Sequence, residues 1–388
     1  MFKKYRRNKK LKADSQSVDF PLLFVIFVLV FFGLVFMYSS SAYLGQYYKK
    51  DSFFYFKRQL VFTGFGLLIM GFLTGYYHKI KKYFRPAYVL GGLWILLVIA
   101  LYSEPIANVH RWIRLGPIQI QPSEFAKIGV LLFLADYLDK HKSRIIKSPA
   151  ALLPIGIPVL VTIVLIGLSP DFGIPALIFF VSLIMLFTAG ARIKHLAMWV
   201  LPIVPLAAYE IFHYQYRWQR LLSFLSFKPD MSNEGYQLAQ SFTAIGSGGI
   251  LGAGIGASKM KLMYLPAGHT DFIFSIVAEE MGFVGALAII SLFGVILVRG
   301  IRAAAKSQHF HDSLLALGIT IMVVSQSFIN MAVSLGLVPT KGLSLPFFSY
   351  GGSSILSTLI LMGILLNITS RENKVLIFKR GAVKNVRR

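Results

Sequence analysis

Cysteine is absent from the 388 residues. That excludes disulfide staples and thiol catalysis and leaves the compartment open. Charge is scarce as well: Asp, Glu, Lys and Arg make up 14% of the chain, where a soluble domain carries about 25%. With 56% hydrophobic residues and a mean hydropathy of +0.65, the chain reads as a membrane protein. Acids are the scarcest charged type, 16 Asp and Glu against 40 Lys and Arg, for a net charge of +24. In a soluble protein that excess would point to nucleic acid. Here the basic residues fall in short segments between apolar runs, so topology and contact with anionic membrane lipids account for them, and no nucleic acid is expected. A nucleotide-binding fingerprint is also missing, because no strand precedes the glycine-rich stretch. The apolar run after the basic first 18 residues has no small-residue cleavage site, so it reads as a retained helix and not a signal peptide.

Apolar runs of spanning length fall at about 21–42, 60–77, 88–103, 123–138, 150–168, 174–190, 195–212, 272–298, 313–334 and 353–369. The shorter ones reach the ~17–25 residues of a span with flanking interfacial residues. The expectation is an all-α polytopic membrane protein of ten helices. Residues 1–18 form a basic N-terminal segment, 19–372 the membrane domain and 373–388 a basic tail. An even number of spans puts both termini on one side, and the Lys/Arg bias makes that side the cytoplasm. The long segment 213–271, between the seventh and eighth helices, is then extracytoplasmic. In it, WQRLLSFLSF (Trp218 to Phe227) has the pattern of an interfacial amphipathic helix. A second helical piece, YQLAQSFTAI, runs into GSGGILGAGIG (Gly246 to Gly256). Those glycines either bring amides to a diphosphate as a nest does or make a flexible turn.

Ionisable groups at membrane depth are functional candidates because they are costly there. The stretch LPAGHTDFIFSIVAEE (Leu265 to Glu280) puts His269, Thr270 and Asp271 at the mouth of an apolar run that carries Glu279 and Glu280 inside it. Asp271 is either a catalytic carboxylate or the N-cap of the following helix. In the fourth helix, Pro122 makes a normal start, and Glu124 and Lys127, three apart, share a face. Lys127 either pairs with Glu124 or reaches Glu279 or Glu280, as a structural ion pair, a chemical group or a proton relay. Arg111, Arg114, Arg217 and Arg220 either clamp phosphate bidentately or anchor in headgroups. Near the C-terminus, GLVPTKGLSLPFFSYGGSS (Gly336 to Ser354) breaks helix geometry at the membrane surface. With Lys341, Phe347, Phe348 and Tyr350 it is a candidate groove wall for an amphiphilic ligand.

RWIRLGPIQIQPSEFAKIG, SPDFG, QRLLSFL, YQLAQSFTAIGSGGILGAGIG, LPAGHTDFIFSIVAEEMGFVG and GLVPTKGLSLPFFSYGGSS follow one another in the chain. Across about residues 20–372 they resemble the SEDS family (shape, elongation, division and sporulation proteins). The PTKGL form (Pro339 to Leu343) is similar to the division-type, FtsW-like members more than to the elongation-type, RodA-like ones. Ser169, Gly268 and Pro175 depart from the family pattern. The resemblance implies a peptidoglycan glycosyltransferase that polymerises lipid II at the outer face of the bacterial cytoplasmic membrane in septal cell-wall synthesis. Asp271 would be the general base. Arg111, Arg114, Arg217, Arg220, Lys341, His269 and Thr270 would face substrate and its diphosphate, with a place for a divalent cation, Mg or Mn. Glu124, Lys127, Glu279 and Glu280 would form a supporting ionic set. A class B penicillin-binding protein transpeptidase and other divisome proteins are the implied partners. The alternatives are a lipid II flippase that uses the intramembrane charges as a relay, an elongation-type polymerase, or a scaffold that recruits a transpeptidase.

Overall fold

The structure, a computed structural model, describes residues 18–105, 109–116, 118–147, 152–169, 172–201, 205, 234–339 and 342–386. The chain is an all-α multi-pass membrane protein. Its helices are α1 (Phe20–Lys49), α2 (Phe54–Ile80), α3 (Pro86–Leu101), α4 (Pro122–Lys147), α5 (Leu153–Gly167), α6 (Gly173–Thr188), α7 (Ile193–Val200), α8 (Glu234–Gly248), α9 (Ile273–Lys306), α10 (Phe310–Ser334) and α11 (Gly352–Val386). Helices α1, α2, α9, α10 and the 352–371 part of α11 are long and apolar enough to cross a bilayer, while α3, α5 and α6 are shorter apolar helices. The apolar run expected at 195–212 lies largely outside the described residues, as does the amphipathic piece at 218–227. The run expected to end near 369 belongs to a helix that continues to Val386. One feature has no helical counterpart: between α3 and α4, β1 (Ile113–Leu115) and β2 (Ile118–Ile120) pair as an antiparallel hairpin, with Arg114 opposite Gln119.

Local chemistry sets the helix starts. Asp19 caps α1 by accepting from the Leu22 amide, and prolines stand in the first turns of α1, α3 and α5, where a missing N–H costs nothing. Helices α1 to α6 alternate in direction, as do α9 to α11, whereas α8 runs alongside the first half of α9 in the same direction, with Ser241 on Ser275 and Gly248 against Ala278. The segments 102–121, 265–272 and 335–351 gather at one end of the bundle, here the site end. Residues 18–19, 81–85, 189–192 and 307–309 gather at the other. Cross-contacts agree with this arrangement. At the site end Ser169 donates to the His110 carbonyl and the Gln121 amide to Ser353. At the opposite end Lys81 and Arg371 both meet Asp312, and Arg299 meets Asp19.

The core runs through α1, α4, α6, α9, α10 and α11, with α2 packed along α11 and α8 along the first half of α9. Part of this core is not helical. Leu343, Leu345, Phe347 and Phe348 of the 335–351 segment are buried, with Phe348 stacked on Phe36 of α1 and Phe347 against Phe293 of α9. Irregular backbone at that depth is stable because it is enclosed by protein. Phe347 and Phe348 are thus core residues and not the groove wall expected of them. Tyr350 alone of the three aromatics stays partly exposed.

Candidate functional site

Asp271 stands one residue before Phe272, the N-cap of α9, and is partly exposed at the site end. A tight knot holds its backbone. The amides of Thr270, Asp271 and Phe272 all donate to the Ala267 carbonyl, at 3.0, 3.0 and 3.3 Å, and Ala267 sits at a φ of 54°. The Asn330 amide group of α10 bridges two carbonyls, Asp271 at 2.8 Å and Leu343 at 2.6 Å. Ser349 donates to the Thr270 carbonyl at 2.5 Å, and the Tyr350 amide to that of His269 at 2.9 Å. The 342–351 segment is therefore stitched to the strip carrying Asp271. Where they face each other there is no side chain: a Cβ built on Gly342 would lie 3.5 Å from Asp271 Oδ2, an ordinary contact distance.

Beside the carboxylate lies an aromatic cluster. His269 approaches Tyr55 and Tyr350 with ring centroids at 5.8 and 6.0 Å, and the two tyrosines meet edge to face at 5.2 Å. Burial lowers the His269 imidazole to about 4, so the ring is neutral at neutral pH, and the same burial raises the Tyr350 phenol. A neutral ring adds no positive charge to this cluster.

The four intramembrane charges expected to form one set divide into two. Lys127 Nζ lies 2.7 Å from Glu124 Oε2 and donates to Gln326 Oε1 at 2.8 Å, while Ser357 donates to Glu124 at 2.9 Å. Of the partners considered from sequence, Glu124 is the one Lys127 takes, and it reaches neither Glu279 nor Glu280. This pair is 2% and 4% exposed, so its charges are stabilised by partners and not by water. The Gln326 amide then donates to the backbone and hydroxyl of Ser344. The pair thus supports, from behind, the segment that faces Asp271.

Glu279 and Glu280 belong elsewhere, at a break in α9. Gly282 has φ 66° and ψ −165°, which interrupts the helix after nine residues. The glycine-rich segment satisfies the freed backbone groups. Ala253 and Gly254 amides donate to the Glu279 and Glu280 carbonyls, and Phe283 and Val284 amides donate back to Gly249 and Ile250. The approach is so close that a Cβ on Gly252 would fall 2.2 Å from the Glu280 carbonyl oxygen. Those two amides are spent on the broken helix, so neither the anion nest nor the flexible turn describes them. The side chains add to the join. Glu279 accepts from Ser258 Oγ at 2.5 Å and the Lys259 amide at 2.8 Å; Glu280 Oε1 accepts from Ser39 at 2.6 Å and Lys261 Nζ at 3.1 Å. Lys261 separates two crevices between α1 and this segment. One of about 510 Å³ is walled by Tyr38, Tyr43 and Gln46; one of about 270 Å³ runs to His269.

Of the expected phosphate ligands, Arg217, Arg220 and Lys341 lie outside the described residues. Arg111 lines a narrow crevice with Ser123 and Ser169, and Arg114 is exposed on the hairpin, 3.5 Å from Glu104. Among the described residues no three His, Cys, Asp or Glu side chains converge as metal ligands. Sequence reasoning overlooked Asn330, Gln326, Ser349, Gly342, Lys261, Ser258 and Ser39. Gln326 and Asn330 had a readable signal: two amides four apart in an apolar helix share a face and need partners.

The fold and site define a class, an α-helical multi-pass membrane protein with a partly exposed carboxylate at one end and buried ion pairs beneath it. The chain belongs to the family described as "Cell cycle protein" (FTSW_RODA_SPOVE), which matches residues 20–374. It is 36% identical over 359 residues to a probable peptidoglycan glycosyltransferase FtsW of Geobacter sp. (strain M18), covering 92% of this chain and 98% of that one. It is 37% identical over 364 residues to stage V sporulation protein E of Bacillus subtilis, covering 92% and 99%. Among solved structures it is similar to a chain of a peptidoglycan synthase complex that coordinates polymerization and crosslinking, with 29% identity, a TM-score of 0.75 and coverage of 92% and 98%.

Proposed function

We propose that this chain is a peptidoglycan glycosyltransferase of the FtsW type, polymerising lipid II at the outer face of the bacterial cytoplasmic membrane during septal wall synthesis, with Asp271 as general base. The relatives' names support the enzyme class. The observation that carries the role of Asp271 is its setting: a carboxylate held by its own backbone, partly exposed, and facing a position without a side chain at Gly342. The reacting hydroxyl is proposed to approach the carboxylate there. The acceptor hydroxyl oxygen attacks the anomeric carbon of the donor chain, its proton passes to Asp271, and the bond from that carbon to phosphate breaks. The polyprenyl diphosphate leaves with the electron pair. Arg111, Arg114, Arg217, Arg220 and Lys341 are the cations proposed to meet the diphosphate charge. His269 and Thr270 are proposed to line the acceptor side. A divalent cation, Mg or Mn, would be held chiefly by the substrate diphosphate, since among the described residues no three His, Cys, Asp or Glu side chains converge.

Both termini are proposed to be cytoplasmic, in keeping with the basic residues around 79–85, 192–194 and 299–306 at the opposite end. The partner proposed is a class B penicillin-binding protein with a transpeptidase domain, in line with the polymerising and crosslinking complex whose chain resembles this one. The flippase alternative has less support, because Glu124–Lys127 and Glu280–Lys261 are held by separate partners.

The test is polymerisation of labelled lipid II by the purified protein with its partner, under a transpeptidase inhibitor, read on a glycan-resolving gel. Asp271→Asn should fold and lose at least about a hundredfold in rate. A wild-type rate from that variant would remove Asp271 from the chemistry.

A further inference from the structure

The break at Gly282 leaves Asp271 at the tip of a short half-helix, Ile273 to Met281, that the rest of α9 does not hold by continuous hydrogen bonds. Its near end is fixed by Asn330, Ser349 and Tyr350. Its far end is held by the Ala253 and Gly254 amides on the Glu279 and Glu280 carbonyls and, beyond them, by side-chain chemistry at Glu279 and Glu280. The central contact there is Lys261. Its ammonium reaches Glu280 Oε1 at 3.1 Å, Ser39 of α1 at 3.0 Å and the Gly256 carbonyl, and its side chain is 13% exposed beside a fully buried Glu280. Lys261 thus joins the start of the strip 261–271 to the end of the half-helix 273–281, closing the segment on itself, and ties both to α1.

We propose that Lys261 is a positioning residue for the transfer reaction: its pairing with Glu280 and Ser39 sets where the half-helix, and so the Asp271 carboxylate, comes to rest. This rests on the reading of Asp271 as the base. The physical reason is leverage. Asp271 lies nine residues from Glu280, roughly 13 Å along the helix at 1.5 Å per residue. A small tilt about the break at Gly282 would therefore move the carboxylate by an ångström or so, a displacement that typically costs on the order of a hundredfold in rate. The lysine acts through Glu280 and makes no contact with the reacting atoms. Its loss should lower kcat and leave KM for lipid II nearly unchanged.

Lys261→Met alone would leave the buried Glu280 carboxylate without its cation, and such a variant can fail to fold. The informative variant is therefore Lys261→Met with Glu280→Gln, which removes the pair without stranding a charge. In the full-length protein with its partner, we expect this double variant to melt close to wild type. Its kcat should fall roughly tenfold to a hundredfold with KM within about twofold, and Lys261→Arg should keep most of the wild-type kcat. A folded double variant with wild-type kcat would overturn the proposal. So would a KM increase of about tenfold at unchanged kcat, which would make Lys261 a substrate contact. Wild type and Asp271→Asn run alongside separate the two levels. No polymer from wild type would overturn the enzyme reading and this inference together, whereas polymer lost in Asp271→Asn but kept in the double variant overturns this inference alone.

Discussion

At the scale of single residues, the Glu124–Lys127 pair is the costliest feature of the bundle. Both side chains are essentially out of water, and the charges are compensated by each other, by Gln326 and by Ser357. Breaking such a pair from one side strands a charge and costs about 3–5 kcal/mol, while removing both partners is often nearly neutral. Lys127→Met should therefore lower the melting temperature in detergent substantially. Glu124→Gln combined with Lys127→Met should recover most of that loss. Equal melting of the single and double variants would mean the pair is less isolated than its burial implies. This pair and Asp271 were legible in the sequence because a charge within an apolar run stands out against its neighbours. Lys261 was not. A lysine in a loop between spans looks like any residue that sets topology, and nothing in its neighbours announces a carboxylate nineteen positions on. Phe347 and Phe348 misled for the opposite reason: aromatics next to prolines and glycines look interfacial, and their burial depends on α1 and α9 closing over them.

Elements read well where a pattern is continuous and poorly where it is broken. The helices carrying the long apolar runs lie where hydropathy put them, since period and length decide them. The break in α9 was invisible, because MGFVG continues the apolar run directly after Glu279 and Glu280 and a glycine there costs a helix only about 1 kcal/mol. It is a partner segment, 249–254, that turns Gly282 into a crossing point, and such a long-range pairing has no local signature. The crossing makes a sharp prediction. A methyl group at Gly282 would meet the Gly252 nitrogen at 2.4 Å and the Ile250 oxygen at 2.5 Å, at a φ of +66° that non-glycine residues adopt only under strain. Gly282→Ala should cost at least about 2 kcal/mol from backbone strain and overlap together. It should also depress polymerisation beyond what its stability loss explains, because the half-helix that leads to Asp271 joins the rest of α9 there. A variant that melts and polymerises like wild type would mean that 249–254 can move aside, and the close packing would lose its structural role.

For the whole molecule, the alternation of helix directions divides the loops into two sets, and the distribution of charge between them carries the topological argument. The end holding 79–85, 189–194 and 299–309 is rich in Lys and Arg, and basic loops are retained on the cytoplasmic side. Asp271, at the other end, would then face outward, where an enzyme building wall polymer must work; a carboxylate on the cytoplasmic side would be separated from that task by the membrane. The absence of cysteine makes this directly measurable, since any thiol introduced is the only one in the chain. Gln119, on the hairpin at the site end, and Gln308 are both exposed and lie at opposite ends of the bundle. In intact spheroplasts, Gln119→Cys should react with a membrane-impermeant maleimide, and Gln308→Cys should react only after permeabilisation. The reverse pattern would place Asp271 in the cytoplasm. Polymerisation at the outer face would then fail as a function for this chain, however well the carboxylate is built to accept a proton.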